Sequence, residues 1–410
     1  MNSPEVLAGE IMGRIDQLAA ISETPGALTR RYLTEEHRRA NQLVGEWMSG
    51  AGMNAAQDAA GNMVGRYGGA NDNSPALIIG SHLDTVVNAG KFDGMLGVLC
   101  GIACVQALRD AGRRMAYPIK VIGFADEEGV RFGTTYLGSR AVCGTLDPAT
   151  FDRTDVNGIT YRQALLDFGL DAARIGQAAH RAREVRAFLE LHIEQGPVLE
   201  ALNRPAGAVT AINGQTRLSV TVTGEAGHAG TVPMALRKDA LAVAAEGVLA
   251  VETVCAQADD VVGTVGILST SPGAINVIPG DVNFTVDIRA REDAARRDAV
   301  AAAIRAIRAA AEKRHCIVQV TVLHWAVSAP CSESMIAIIE RAMAAAGVEP
   351  SRMPSGAGHD AAAMAEICDV GMIFLRSDGG ISHNPAERTS QEDIAAGVSI
   401  MLNVLDEMEG

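Results

Sequence analysis

Basic residues are scarce in this chain of 410 residues, where 35 Lys and Arg face 49 Asp and Glu for a formal charge of −14. Phosphate backbones and anionic membranes are held by clustered cations, so this deficit argues against nucleic-acid and membrane partners and leaves small molecules. Paired cysteines are missing as well: the seven are odd in number, scattered, and never spaced C-x-x-C. They read as reduced, mostly core thiols, with a cytoplasmic location expected. No apolar run has membrane length. The most apolar stretch, Met95 to Leu108, is too short to span and contains Gln106, which predicts a buried core helix. At the N-terminus Val6, Leu7, Ile11, Ile15 and Leu18 recur with helical period among Glu5, Glu10 and Asp16, without the basic region of a signal peptide.

What is present is ample apolar material, 48% of residues, in a chain longer than one core usually organises. Two domains are expected. Short apolar runs, Ala76–Ile79, Ile119–Phe124, Phe188–Leu191 and Met372–Leu375, alternate with helical patterns such as Gly97–Asp110, which predicts an α/β sheet with its chemistry at strand ends. Residues 213–329 follow another rhythm. Arg217–Thr223, Val261–Leu268, Val282–Arg289 and Ile317–His324 read as strands, with helices over Ala235–Val254 and Glu292–Arg314. That β-α-β-β-α-β order is the split βαβ arrangement of ferredoxin-like domains, inserted between 1–212 and 330–410. The Ala/Arg run from Ala301 to Arg314 spaces its charges as a solvated helix face.

Several strand ends carry metal-ligand chemistry. Gly80-Ser81-His82-Leu83-Asp84-Thr85 offers an imidazole with Asp84 placed to orient it. Asp93 precedes a glycine-rich apolar helix, where a carboxylate is either an N-cap or a bridge between two cations. Asp126, Glu127 and Glu128 follow Val121–Phe124 directly, and three successive carboxylates at a buried strand end repel unless a cation or a proton neutralises them. One Glu can ligate while its neighbour takes a proton from the attacking water. His192 and His383 close the set at two further strand ends.

Together, Ser81-His82-Leu83-Asp84-Thr85, Phe92-Asp93-Gly94, Asp126-Glu127-Glu128-Gly129, Glu190-Leu191-His192-Ile193-Glu194-Gln195-Gly196, Gly227-His228-Ala229-Gly230 and Ser382-His383-Asn384-Pro385-Ala386-Glu387 resemble the N-carbamoyl-L-amino-acid hydrolases. Those enzymes group with allantoate amidohydrolases and β-ureidopropionases in the aminoacylase and metallocarboxypeptidase superfamily. The resemblance spans nearly the whole chain. It implies a mixed-sheet di-metal catalytic domain with the ferredoxin-like insert as lid and dimerisation domain. Asp93 would bridge two divalent ions, Glu128 and His383 completing one site and His82 and His192 the other. Zinc is the default, with manganese, cobalt or nickel possible. Glu127 would be the general base, and His228 would stabilise the oxyanion, reaching the partner subunit's site in a homodimer. Asn276 and Arg289 match positions that hold the substrate carboxylate, and Gln195 and His359 match contacts to its ureido end. The substrate implied is an N-carbamoyl-L-amino acid. Gly214-Gln215-Thr216-Arg217 and Gly356-Ala357-Gly358-His359-Asp360 look more like the allantoate enzymes, with Gln215 a substrate contact; a peptidase or aminoacylase on the same scaffold is the more remote reading.

Overall fold

In a computed structural model that describes residues 2–409, the chain divides into two compact units. The larger comprises Met1–Thr210, Cys331–Met353 and Ala357–Gly410; the smaller comprises Ala211–Pro330 and Pro354–Gly356.

The larger unit is built on a mixed sheet. Seven of its strands run in the spatial order Asn54–Gln57, Met63–Tyr67, Ile119–Phe124, Ala76–His82, Val185–Ile193, Val370–Leu375 and Ala206–Ile212. The four central strands, from Ile119–Phe124 through Val370–Leu375, are mutually parallel, and antiparallel strands flank them on both sides. All seven residues of Ala76–His82 are buried, as expected of a parallel strand covered on both faces. Parallel strands end on one edge, so the polar residues at their C-terminal ends are gathered without any long loop having to fold back. That edge carries His82, Asp126 to Glu128, His192 and the segment leading to His383.

The expected core helix runs over Met95–Asp110 and is buried from Met95 to Leu108, packing on strands Ala76–His82, Ile119–Phe124 and Val185–Ile193. Its glycines are what let it approach so closely. A Cβ added at Gly97 would lie 2.1 Å from the backbone oxygen of Leu191, one residue before His192. Among the described residues no helix is long and apolar enough to cross a membrane. Five of the seven cysteines are buried, and none is paired with another.

The smaller unit is an antiparallel sheet in the order Leu268–Ser271, Asp281–Ala290, Gly214–Thr223 and Ile317–Ala326, with Val261–Thr264 also pairing to Asp281–Ala290. Alternate residues Val282, Phe284, Val286 and Ile288, with Leu218, Val220 and Val222, are buried in one core with the helices Ala240–Ala256 and Asp293–Glu312. The period of two puts Asn283, Thr285, Asp287 and Arg289 on the opposite face. Two local expectations need correction. The run Val261–Leu268 is not one strand but breaks at residues 265–267 into two short ones. The helix expected from Ala235 begins at Ala240, because the Asp239 carboxylate accepts from the amides of Leu241 and Ala242 and caps it there.

Replacing Gly97 with Ala forces helix and strand apart and is expected to destabilise the chain by roughly 1–3 kcal/mol. Urea unfolding of metal-free protein measures it; an unmoved midpoint would show that the helix relaxes freely.

Candidate active site

His82 ends its strand with Nδ1 3.0 Å from the Asp84 backbone oxygen, which makes Nδ1–H the donor and leaves Nε2 a bare lone pair. His192 is held likewise, Nδ1 lying 2.8 Å from the Ile193 oxygen. Asp84 therefore orients His82 through its carbonyl. Its carboxylate has another task, accepting from the backbone amides of Glu127 at 3.0 Å and Glu128 at 3.2 Å, which pins the turn that carries both.

Both free Nε2 atoms converge on Asp93. His82 Nε2 lies 3.5 Å and His192 Nε2 3.2 Å from Asp93 Oδ1, with 3.5 Å between the two nitrogens. On the other side of the same carboxylate, His383 Nε2 lies 3.3 Å from Asp93 Oδ2 and 3.4 Å from Glu128 Oε1. Two nests of donor atoms thus share one residue, each nest within reach of a single ion.

The spacing fits cations. Ligands at about 2.0–2.1 Å around a tetrahedral ion are separated by roughly 3.3–3.4 Å. Asp93 Oδ1 is buried and meets no donor in hydrogen-bonding geometry, although two imidazoles face it. A buried carboxylate oxygen in that position is accounted for by a positive ion. The charges demand the same. Burial works to raise Asp93, but the imidazoles of His192, His383 and His82 outweigh it and hold that carboxyl well below its usual range. The carboxylates of Asp93 and Glu128 lift His383 to about 10.

The three consecutive carboxylates are separated by environment. Asp126 takes a left-handed φ of 56°, and burial pushes its acid well above the ordinary range, with both side-chain oxygens lacking a partner. Burial raises Glu127 in the same way, only partly opposed by His82, which makes it a carboxylate of strong proton affinity beside both nests. Glu128 faces His383. Asp126, Gln195 and His383 all have positive φ, a conformation that costs roughly 1–2 kcal/mol in a side-chain-bearing residue and persists where surrounding contacts impose it.

The sequence profile of Peptidase family M20/M25/M40 matches residues 78–407. The chain belongs to this family. It is 43% identical over 395 residues to an N-carbamoyl-L-amino acid amidohydrolase of Geobacillus stearothermophilus, covering 96% of each protein. It is 41% identical over 436 residues to a probable allantoate deiminase of rice, covering 98% of this chain and 89% of the relative. Among solved structures it is similar to a hydantoinase/carbamoylase family amidase of Burkholderia multivorans, with TM-score 0.92, 32% identity and 97% of each chain covered. Within the M20 family it therefore falls in the carbamoylase and allantoate deiminase group.

Arg30, Glu190 and Glu387 of this M20 protein were given no role from the sequence. Arg30 is fully buried and donates to the backbone oxygens of Leu83, Leu18 and Ile21, placing a cation behind the His82–Asp84 turn. Glu190 accepts from Ser81 and from the Ala361 amide. Glu387 accepts from the amides of Phe92 and Asp93. Glu190 and Glu387 sit inside recognisable motifs, but a buried acceptor and a solvated charge look alike in sequence. Gln195 donates to Asp93 Oδ2 at 3.2 Å and to Ser382 at 3.1 Å, so its amide nitrogen is committed and its buried Oε1 is the atom left over. His359 is buried edge-on to His192, ring centroids 4.5 Å apart.

In the smaller unit, His228 is exposed on a two-stranded ribbon where Gly227–His228 pairs with Val277–Ile278. Its Nδ1 accepts from the Gly230 amide, which leaves the ring proton on Nε2. Asn276 sits beside it, its carbonyl accepting from the Ala229 amide. Arg289 is elsewhere. It forks onto Asp287, which also accepts from Gln215 and Arg217, and donates to the Gly356 carbonyl. The ribbon adjoins the Asp281 end of strand Asp281–Ala290 and Arg289 is at the other, eight residues or roughly 26 Å along. Within one chain Asn276 and Arg289 therefore stand apart.

Because Asp93 serves both nests, Asp93→Ala is expected to abolish binding of both ions, whereas His383→Ala removes one. Metal content by plasma emission spectroscopy after reconstitution distinguishes the two, and equal loss in both variants would refute the shared-carboxylate arrangement.

Proposed function

We propose that the chain hydrolyses the ureido group of N-carbamoyl-L-amino acids to the amino acid, carbon dioxide and ammonia, using two divalent ions of which zinc best suits the donor set. The observation that carries this reading is the shared Asp93, flanked by His82 and His192 on one oxygen and by Glu128 and His383 on the other. Bound there, such ions would polarise the ureido carbonyl and acidify the attacking water. Glu127, whose proton affinity burial has raised, accepts the proton of that water and returns it to the departing nitrogen of the amino acid. The C–N bond breaks, and the carbamic acid released decomposes to carbon dioxide and ammonia. His228 offers its Nε2–H to the developing oxyanion, and the Arg289 fork, preset by Asp287, takes the substrate carboxylate.

The smaller unit is on this reading a lid and dimerisation domain. Its edge strand Ile317–Ala326 exposes Ile317, Val322, Leu323 and Trp325, a surface that pairing with a second copy would cover. A ureido acid is far shorter than the separation between His228 with Asn276 and Arg289, which supports one set being supplied by a second subunit.

A second reading, allantoate hydrolysis, is favoured by one feature. Arg217 stands half-exposed beside Arg289 in a pocket of about 630 Å³, and Gln215 joins them on Asp287. A second guanidinium there would hold the extra ureido arm that allantoate carries.

Ammonia release over a panel of N-carbamoyl amino acids and allantoate, with several divalent metals, tests both readings. Activity on the ureido acids is expected, falling by at least a hundredfold in Glu127→Gln at unchanged metal content; hydrolysis of dipeptides alone would refute the assignment. Mixing Glu127→Gln with His228→Ala subunits is expected to restore part of the activity if His228 serves the neighbouring subunit. No restoration means that it serves its own.

A further inference from the structure

We propose that Glu387 is a positioning residue that sets the spacing of the second nest, Asp93–Glu128–His383, through a closed ring of hydrogen bonds; this rests on the two-ion reading above. Glu387 Oε1 accepts from the backbone amides of Phe92 at 2.9 Å and Asp93 at 3.1 Å, and Oε2 accepts from the Ser382 hydroxyl at 2.8 Å. Ser382 in turn accepts from Gln195 Nε2 at 3.1 Å, and the same nitrogen donates to Asp93 Oδ2 at 3.2 Å. The ring leaves Asp93 by its amide and returns to it by its carboxylate.

The bonds of this ring are directional, with His383 Nε2 a further neighbour 3.5 Å from the Gln195 amide nitrogen. Glu387 accepts three bonds and donates none, the pattern of an ionised carboxylate, although it is only 3% exposed. The two hydrogens of the Gln195 amide go one to Ser382 and one to Asp93, so the amide cannot flip without breaking both. His383 is fastened between Ser382, a member of the ring, and Asn384, whose side chain accepts from the Ala386 amide in a tight turn. Room for Glu387 is reserved across the fold, since a Cβ at Gly90 would lie 2.2 Å from its Oε1.

The effect is one-sided. The ring touches Asp93 Oδ2 and the His383 segment, two of the three members of the second nest, while the third, Glu128, is held from the Asp84 carboxylate through its amide. His82 and His192 are held by their strands and by carbonyls outside the ring. Loss of Glu387 therefore loosens the second nest, two of whose members it holds, more than the first, where it holds only the shared Asp93.

Stepwise Zn2+ titration of metal-free protein against a chromophoric chelator tests this. Two sites are expected in the wild-type chain. In Glu387→Ala the site that His383→Ala also removes should lose ten- to a hundredfold in affinity while the other stays within about threefold, since buried partners of a ligand typically matter by that factor. Glu387→Gln retains an oxygen for the two amides and can donate its amide to the Ser382 oxygen in a reversed bond, and should recover most of the loss. Ser382→Ala breaks the ring at a neutral residue and should reproduce the selective loss even where Glu387→Ala folds poorly. Wild-type affinities at both sites in Glu387→Ala or Ser382→Ala, whatever their melting temperatures, would overturn the proposal, as would equal loss at both. A wild-type chain that takes up no Zn2+ would end the two-ion reading and this one with it.

Discussion

Negative charge crowded onto one buried sheet edge is the constraint around which the larger unit is organised. Asp84, Asp93, Asp126, Glu127, Glu190 and Glu387 are all nearly inaccessible to solvent, and among the described residues the fully buried cation nearby is Arg30. Carboxylates removed from water need protons, donors or metal ions. Burial pushes the Asp126 acid well above the ordinary range, backbone amides satisfy Asp84 and Glu387, and Asp93 is left with one oxygen facing a pair of imidazoles and the other facing His383.

Position on the sheet decides which solution each carboxylate receives. Asp84 lies two residues beyond its strand and reaches the neighbouring turn, so it becomes an anchor for Glu127 and Glu128. Glu127, one residue past Asp126, keeps its side chain beside His82, and burial raises its proton affinity. The division of labour follows from the alternating direction of successive side chains at a strand end and from the left-handed turn at Asp126. Neighbouring glycines complete the arrangement: a Cβ at Gly94 would come within 2.5 Å of the His82 ring, and the φ of 70° there suits glycine.

Much of this was legible in the residues. The buried strands that lead to His82, Asp126 and His192 announced themselves by apolar runs followed by polar turns, and the β-α-β-β-α-β rhythm of the smaller unit by its alternation. The two misread stretches have local causes. Asp239 stops a helix that Ala-rich composition would extend, and the Val261–Leu268 run is interrupted although its hydrophobicity continues.

The order of ligand types along the chain and the periodicities that gather strand ends on one edge are local properties, and the sequence by itself determined them. Only the tertiary structure decided how Asp93 divides its two oxygens, that Glu387 closes a ring through Ser382 and Gln195, and that Asn276 and Arg289 stand at opposite ends of a strand. Those relations join residues as many as 295 positions apart. Sheet register and strand direction set such distances, and neither is written in any single stretch of residues.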